Sequence, residues 1–543
     1  MSLEDKNINI PNNDNPFSAF EEVRQVEEKR PNKTKISRRS LTLILTSTIA
    51  VLLAVIILLL TLLPGSQPAD TGSSSEPMVD TSITLLDKTA KDTVTVSRVD
   101  VENAGGSYTL LYNTTEKKLQ IKGYEDISVN AELENTLLAY SSLLVADNQI
   151  ATPGELKEYG LDTPSAKTTI TYTDGTTAVL TIGNATPSKE GYYVQLAGDS
   201  KVYIFASDSV YLFMVQPVAY ADTVLLTTPT VKTDDANGSA LLKEISYSGK
   251  KYPQPLRIRR SYYTDSEELT LFSYIITKPF VRGTNDGTIS LLTGFKSLQA
   301  TQALYLHPTA EQKKKLGFND PLMVMNLTMA VETSEDDEPV DTSATAEKKI
   351  YYNSYSTTIT VGSMDSNSNY IVMVKDIDAI FLVENSALAA VAERTYENSV
   401  NQLLFLKNIG QLGRISITID GTRHDFELTH YPEKENRDEK MVVTENGKVY
   451  PTSDFRELYQ QLMGLERYGT PSGTYDKNAA LKVDIYTTDG KHYLGATYYS
   501  LSGTLCAVET TEGEVFTTRS HYVSHFLEQV KRYLNGESVL ILT

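Results

Sequence analysis

The chain has 543 residues, too long for one ordinary domain, and its 40% hydrophobic and 22% charged content supports folding over most of its length. A formal charge of −19 argues against nucleic acid as a partner, and a single cysteine, Cys506, rules out an intrachain disulfide. Thirty-three Tyr and no Trp suit strands with one wet face.

Residues 1–40 carry eight Lys/Arg and seven Asp/Glu, so the acidic excess lies further along. Ser18-Ala-Phe-Glu21 fits a capping box, and Pro31 ends any helix it opens. This cytoplasmic tail reads as a marginal helix in a targeting flank, or as a docking helix for a cytoplasmic or membrane partner. Residues 41–63, LTLILTSTIAVLLAVIILLLTLL, carry no charge, are apolar all round and end at Pro64-Gly65. At 1.5 Å per residue they span roughly 35 Å, enough for a bilayer core of about 30 Å, so one transmembrane helix is expected. The run is too long, and starts too late, for a cleaved signal peptide. Lys29, Arg30, Lys33, Lys35, Arg38 and Arg39 precede it, whereas Asp70, Glu76 and Asp80 follow before Lys88. The positive-inside rule then places the N-terminus in the cytoplasm and the remainder outside the cell membrane.

Residues 64–80 are rich in Gly, Ser and Pro and read as a flexible linker. Beyond them one pattern recurs three times on a period of roughly 150–160 residues, too long for a solenoid, so each copy is expected to be a domain: 81–228, 240–400 and a divergent 405–543. The first opens with strand-like runs over Thr93–Val101, Ser107–Asn113 and Lys118–Gly123. A helix follows, with Leu133, Leu137, Tyr140 and Leu144 at helical spacing and Asn130 as its cap. Then come Leu156-Lys-Glu-Tyr159-Gly160-Leu161-Asp162-Thr-Pro164, a hairpin turn at Asp174-Gly175, Ile182-Gly183, Gly191-Tyr192-Tyr193-Val194 and a closing helix from Ser207.

The second copy repeats this order, with strands at Ile245–Tyr247 and Leu256–Arg260, a helix over Ile289–Leu298, Leu316-Gly317-Phe-Asn-Asp-Pro321, and Val361-Gly362. An acidic insert, Glu332–Glu347, interrupts it and reads as a solvated loop that would gather divalent ions only weakly. The third copy has a hairpin across Asp420-Gly421, a helix over Phe455–Leu465 and a closing helix marked by Val523, Phe526, Val530 and Leu534. Tyr468-Gly469-Thr-Pro471 is read there as a remnant of the Gly-x-x-x-Pro element. The predicted class is therefore α+β: tandem antiparallel sheets with covering helices behind one membrane helix. The recurrent Gly and Pro residues are read as turn chemistry.

The run Leu156 to Pro164, the Asp174-Gly175 turn, Ile182-Gly183 and Gly191-Tyr192-Tyr193-Val194 resemble domain-of-unknown-function family 4340. So does the closing stretch Tyr220-Ala-Asp-Thr-Val-Leu-Leu226. The likeness covers the first copy well, the second moderately and the third loosely. It implies a bacterial protein held by one N-terminal helix and often encoded beside gliding-motility-type ABC transporter components. From this comes the expectation of an accessory subunit that contacts a permease or auxiliary subunit. The resemblance supplies no catalytic residues.

His521 and His525 share a helix face, yet no Glu follows His521 and no third ligand is evident, so no metal is expected there. Asp365-Ser-Asn367-Ser-Asn369 imitates a calcium loop, but Tyr370 stands where such a loop needs Gly, so it reads as a turn. Cys506 reads as a small buried residue. No phosphate loop, nucleophile elbow or nucleophile–base set is present, and no cofactor is expected. An envelope-polymer or solute-binding module, using clefts between copies and the Tyr192-Tyr193 and Tyr351-Tyr352 runs, is the alternative function; an envelope hydrolase is the third. An impermeant thiol reagent applied to intact cells is expected to label a cysteine placed at Thr422, beside the Asp420-Gly421 turn, and to miss one placed at Ser2; the reverse pattern contradicts this orientation.

Overall fold

The computed structural model describes residues 82–90, 94–262, 264–334 and 349–541. The tail 1–40 with its capping box, the apolar run 41–63, the linker 64–80 and residues 335–347 of the acidic insert lie outside the described residues. Among the described residues no helix is long and apolar enough to cross a membrane. Thr81–Leu540 form one compact unit built on three large antiparallel sheets.

Strand β1 (Ile83–Asp87) stands apart from the first large sheet, which opens with a meander of β2 (Val96–Asn103), β3 (Gly106–Asn113) and β4 (Lys118–Ile121). Helix α1 (Ala131–Ser142) then carries the chain to the opposite edge. Asn130 caps it, its side chain accepting from the Glu132 and Leu133 amides. The helix ends earlier than its apolar spacing suggests: Leu144 belongs to β5 (Leu143–Ala146), which pairs with β1, because the run of Leu143 to Ala146 is satisfied by a strand partner. The far edge is β6 (Asn148–Gln149). A second meander, β7 (Ala166–Tyr172), β8 (Thr177–Ala185), β9 (Gly191–Leu196) and β10 (Tyr203–Ala206), fills the gap, giving the order β4-β3-β2-β7-β8-β9-β10-β6. Along β7, Ala166, Thr168, Ile170 and Tyr172 all face inward, the period-two burial of a sheet with one covered face. Helix α2 (Ser207–Tyr211) closes this part.

The segment Tyr220 to Leu226 does not simply end the first copy. Ala221 bridges back to Val129, while β11 (Val224–Leu226) pairs forward with a strand of the second copy, and Leu225 and Leu226 are buried in the second core. The second sheet then follows the same plan. Its elements are β12 (Ser239–Gly249), β13 (Tyr252–Arg260), helix α3 (Glu267–Thr270), β14 (Tyr274–Lys278), β15 (Arg282–Gly283) and helix α4 (Asp286–Gly294). Next come β16 (Leu298–Gln299), the partner of β11, β17 (Gln302–Leu306), helix α5 (Ala310–Lys315), β18 (Met323–Ser334), β19 (Lys349–Met364), β20 (Tyr370–Val374) and β21 (Ile377–Val383). Helices α6 (Asn385–Ala392) and α7 (Tyr396–Ser399) follow, and the sheet order is β15-β14-β13-β12-β18-β19-β20-β21-β17. Helix α4 starts and stops before the predicted Ile289–Leu298: Asn285 caps it at the Thr288 amide, and Leu298 is drawn into β16.

The third sheet comprises β22 (Leu412–Ile419), β23 (Thr422–His430), β24 (Met441–Glu445), β25 (Lys448–Tyr450), helix α8 (Thr452–Met463), β26 (Ala479–Thr487), β27 (His492–Ser500), β28 (Leu505–Thr510), β29 (Val515–Arg519) and helix α9 (Ser520–Leu534). Its order, β25-β24-β23-β22-β26-β27-β28-β29, repeats that of the first two. The remnant proposed at Tyr468 to Pro471 has a different role. Gly469 forms an antiparallel bridge to Thr517 of β29, the position that β6 takes on β10 and β17 on β21. It stands for the edge strand, and the turn itself is missing.

Two glycine pairs explain what that turn does. In the first copy Gly160 has φ +68° and ends a 3-10 turn, Leu156–Tyr159; a Cβ on Gly183 would lie 2.1 Å from the Tyr159 carbonyl oxygen. In the second copy Gly317 has φ +88°, and a Cβ on Gly362 would lie 2.2 Å from the Leu316 carbonyl oxygen. Each loop therefore rests backbone-on-backbone against a strand, and that strand bulges there, between Ile182 and Ala185 and between Val361 and Ser363. In the third sheet the matching position is Tyr499, beside Tyr498 opposite Val508; no register shift occurs, and its ring packs 5.6 Å from that of Tyr475. Loop and glycine are lost together. Gly362→Ala and Gly183→Ala are each expected to cost about 1–3 kcal/mol in denaturant unfolding, because a methyl group there must displace backbone. Gly294→Ala, where a Cβ meets no atom within 4 Å, is expected to be neutral or mildly stabilising.

Candidate functional site

The family-type residues do not converge on one cleft. Tyr159 stacks edge-on against Tyr193 at 5.0 Å and its hydroxyl accepts from the Gly154 amide. Leu161 is buried beneath the loop, while Asp162 and Pro164 are exposed. Asp174 accepts from the Thr176 hydroxyl and amide and from Lys88 Nζ, which hold its carboxyl down at about 2; Gly175 beside it has φ +81°. Gly191 is buried, since a Cβ would lie 2.5 Å from the Phe205 carbonyl oxygen, and Tyr192 is half-buried. The Pro321 carbonyl accepts from the Lys250 amide, close to the Gly317–Gly362 contact. Every one of these contacts shapes backbone or fills a sheet face.

The other candidates are similarly engaged. The Tyr351 hydroxyl donates to Glu332 and that of Tyr352 to Asp235, so neither ring is a free platform. Glu332, expected to start a solvated insert, lies in β18 and is the half-buried partner of buried Arg260: the guanidinium needs a carboxylate beside it in the sheet. Asp365 accepts from the Asn367 and Asn369 amides in a tight turn. His525 Nε2 lies 3.1 Å from the Leu540 carbonyl oxygen, and the His521 ring packs on Tyr522 at 4.0 Å. Cys506 is buried in β28, and burial pushes its thiol up. Among the described residues no group of three or more His, Cys, Asp and Glu is placed to hold a metal ion.

A different set of residues is brought together where the second and third sheets meet. Glu514, next to the first residue of β29, is 2% exposed and lies between two guanidiniums. Arg467 Nη2 donates to it at 2.9 Å while Nη1 contacts the other carboxylate oxygen. Arg282 of β15 donates at 2.9 Å and also reaches Glu512 at 2.6 Å. The Tyr396 hydroxyl of α7 donates to the same carboxylate. Burial alone would raise the Glu514 carboxyl; Arg467 and Arg282 override it and hold the group below its ordinary value. Arg467 also lies over the Phe516 ring at 4.3 Å. Nearby, Glu268 of α3 pairs with Lys407 at 3.1 Å and accepts from the Tyr493 hydroxyl, and Glu267 accepts from Gln411.

Beside this junction opens a cavity of about 340 Å³. Glu267 and Glu268 line one side, and Arg456 and Tyr459 of α8 line another. The acids are already answered by Gln411, Lys407 and Tyr493. Arg456 is not answered among the described residues: its Nη2 donates only to the Arg437 carbonyl at 3.1 Å, its buried Nε has no partner, and no carboxylate forms an ion pair with it. Burial and the neighbouring Arg437 guanidinium pull Arg456 down from its ordinary value. No sequence pattern pointed to these residues, because positions 282, 396, 467 and 514 share no motif and meet only after the second and third sheets have formed.

One segment of the chain is matched by comparison with known families. Residues 120–321 match the family described as Domain of unknown function (DUF4340). That segment is similar to DUF4340. The matched segment begins in β4, includes Gly160, Gly183 and Gly317, and ends at Pro321, so it runs across the β11–β16 link from the first sheet into the second. No curated protein and no solved structure matches the chain.

Replacing Glu514 tests the junction. Glu514→Gln removes the charge that two buried guanidiniums share and is expected to cost about 3–5 kcal/mol in denaturant unfolding, with Tyr396→Phe costing about 1. The pH dependence follows from the depressed carboxyl. Its contribution is fully present above the ordinary value of 4.5 and is lost as pH falls through the lower folded value. The parent is therefore expected to lose stability in acid more steeply than Glu514→Gln does.

Proposed function

We propose that the protein is a membrane-anchored, extracytoplasmic accessory subunit of an ABC-type transport or export complex, offering binding surface and no chemistry of its own. The observation that carries this reading is the uncharged run 41–63 behind a basic flank, placed ahead of a compact array of three related sheets. A 23-residue span of this kind keeps the array next to the bilayer, where its partners are other membrane proteins. The family resemblance adds the class of partner, a permease or auxiliary subunit, and the acidic balance of the chain disfavours flat adsorption on anionic lipid.

A second reading, a solute- or envelope-polymer-binding module, is favoured by the cavity between the second and third sheets and its unanswered Arg456. The two are compatible in one protein. Affinity purification of the full chain from its native membrane tests the first: co-recovery of a permease or ATPase in stoichiometric amount is expected, and recovery with neither contradicts it.

A further inference from the structure

We infer that the cavity between the second and third sheets binds a small ligand that presents one carboxylate on an apolar body. This rests on the second reading above and needs no transporter partner.

The charge pattern of the walls selects the anion. Arg456 is a half-buried guanidinium with one backbone carbonyl as its only hydrogen-bond partner, and Arg437 beside it forms no ion pair either. Asp438 acts on Arg456 without an ion-pair contact. A guanidinium desolvated next to a like charge gains most from a planar anion that it can grip with two donors. The two wall carboxylates limit the charge of that anion. Glu267 accepts from Gln411 and Glu268 pairs with Lys407, so a dianion entering the same space meets repulsion that a single carboxylate largely escapes.

The remaining walls select the body. Leu406, Ile409 and Met463 contribute apolar surface, and Leu271 stands 68% exposed beside them. An exposed leucine at a cavity is where a ligand recovers the most buried apolar area. One further polar atom among the described residues is buried without a partner, Gln411 Oε1, and a turn of this wall side chain brings it to the cavity. An amide N–H on the ligand answers it. The chemistry described is that of an N-acylated amino acid or the carboxyl end of a short peptide with an apolar side chain, and a cavity of about 340 Å³ is at the small end of ligand pockets.

Isothermal titration calorimetry on the full-length protein in detergent tests this with N-acetyl-leucine, N-acetyl-leucinamide and inorganic phosphate. N-acetyl-leucine is expected to bind, and the amide and phosphate to bind roughly tenfold more weakly or not at all. Arg456→Gln is expected to weaken N-acetyl-leucine roughly tenfold or more with the melting temperature unchanged, and Arg437→Gln, at an exposed position, to weaken it less. The inference is overturned by equal binding of acid and amide, by phosphate binding as tightly as N-acetyl-leucine, by unchanged binding in both variants, or by no heat from any probe. Failure here leaves the accessory-subunit reading standing, and a purification lacking permease and ATPase leaves this one standing.

Discussion

An ionised carboxylate in a protein interior is costly unless cations and hydrogen-bond donors meet it, and Glu514 is almost entirely buried. Its answer comes from distant stretches of chain: Arg467 from within the third copy, Arg282 from an edge strand of the second, and Tyr396 from the short helix that ends the second. Arg467 pairs with Glu514 inside the third copy, and Arg282 and Tyr396 cross to the same carboxylate from the second. The second and third sheets therefore hold each other, and the cavity beside Glu267, Lys407 and Arg456 has fixed walls only because that junction is closed. Such a cluster adds less net stability than its short contacts suggest, since desolvation opposes it. It also ties geometry to charge, since moving the second sheet against the third separates Arg282 and Tyr396 from Glu514.

The first and second sheets are joined differently. There the main chain itself crosses over, with β11 leaving the first copy to pair with β16 and with Leu225 and Leu226 entering the second core. His307, near the end of β17, reaches back to Asp126 at 2.7 Å and stacks on Tyr124 at 4.9 Å. This shared strand agrees with the extent of the DUF4340 match, which spans the link and does not stop at either copy. A unit cut at residue 228 would take β11 away from the core it helps to build.

Local features were the most legible in the sequence. Asp174-Gly175, Asp420-Gly421 and the Asn130 cap each declare a turn or helix start from a few residues, because the hydrogen bonds they make are close in the chain. The α+β class and the three recurrences were legible for the same reason: alternating burial and turn residues repeat in order. The glycines of the Gly-x-x-x-Pro element were visible as a pattern, but not why Gly160 needs Gly183 or Gly317 needs Gly362, since each contact spans more than twenty residues. Helix ends were misplaced where Leu144 and Leu298 kept helical spacing yet were claimed by strand partners. The buried junction and the cavity were illegible, because isolated Arg and Glu residues read as solvated until tertiary structure closes over them.

Whether the junction fixes the second and third sheets as one body is the question on which both the accessory-surface reading and the ligand reading turn. Double electron–electron resonance between spin labels at exposed Asn326 in β18 and exposed Thr422 in β23 measures it directly, since buried Cys506 stays unlabelled under native conditions. One narrow distance distribution at neutral pH, broadening when Glu514 is replaced by Gln, is the predicted result. A broad distribution in the parent protein, or a narrow one indifferent to Glu514, would contradict the account.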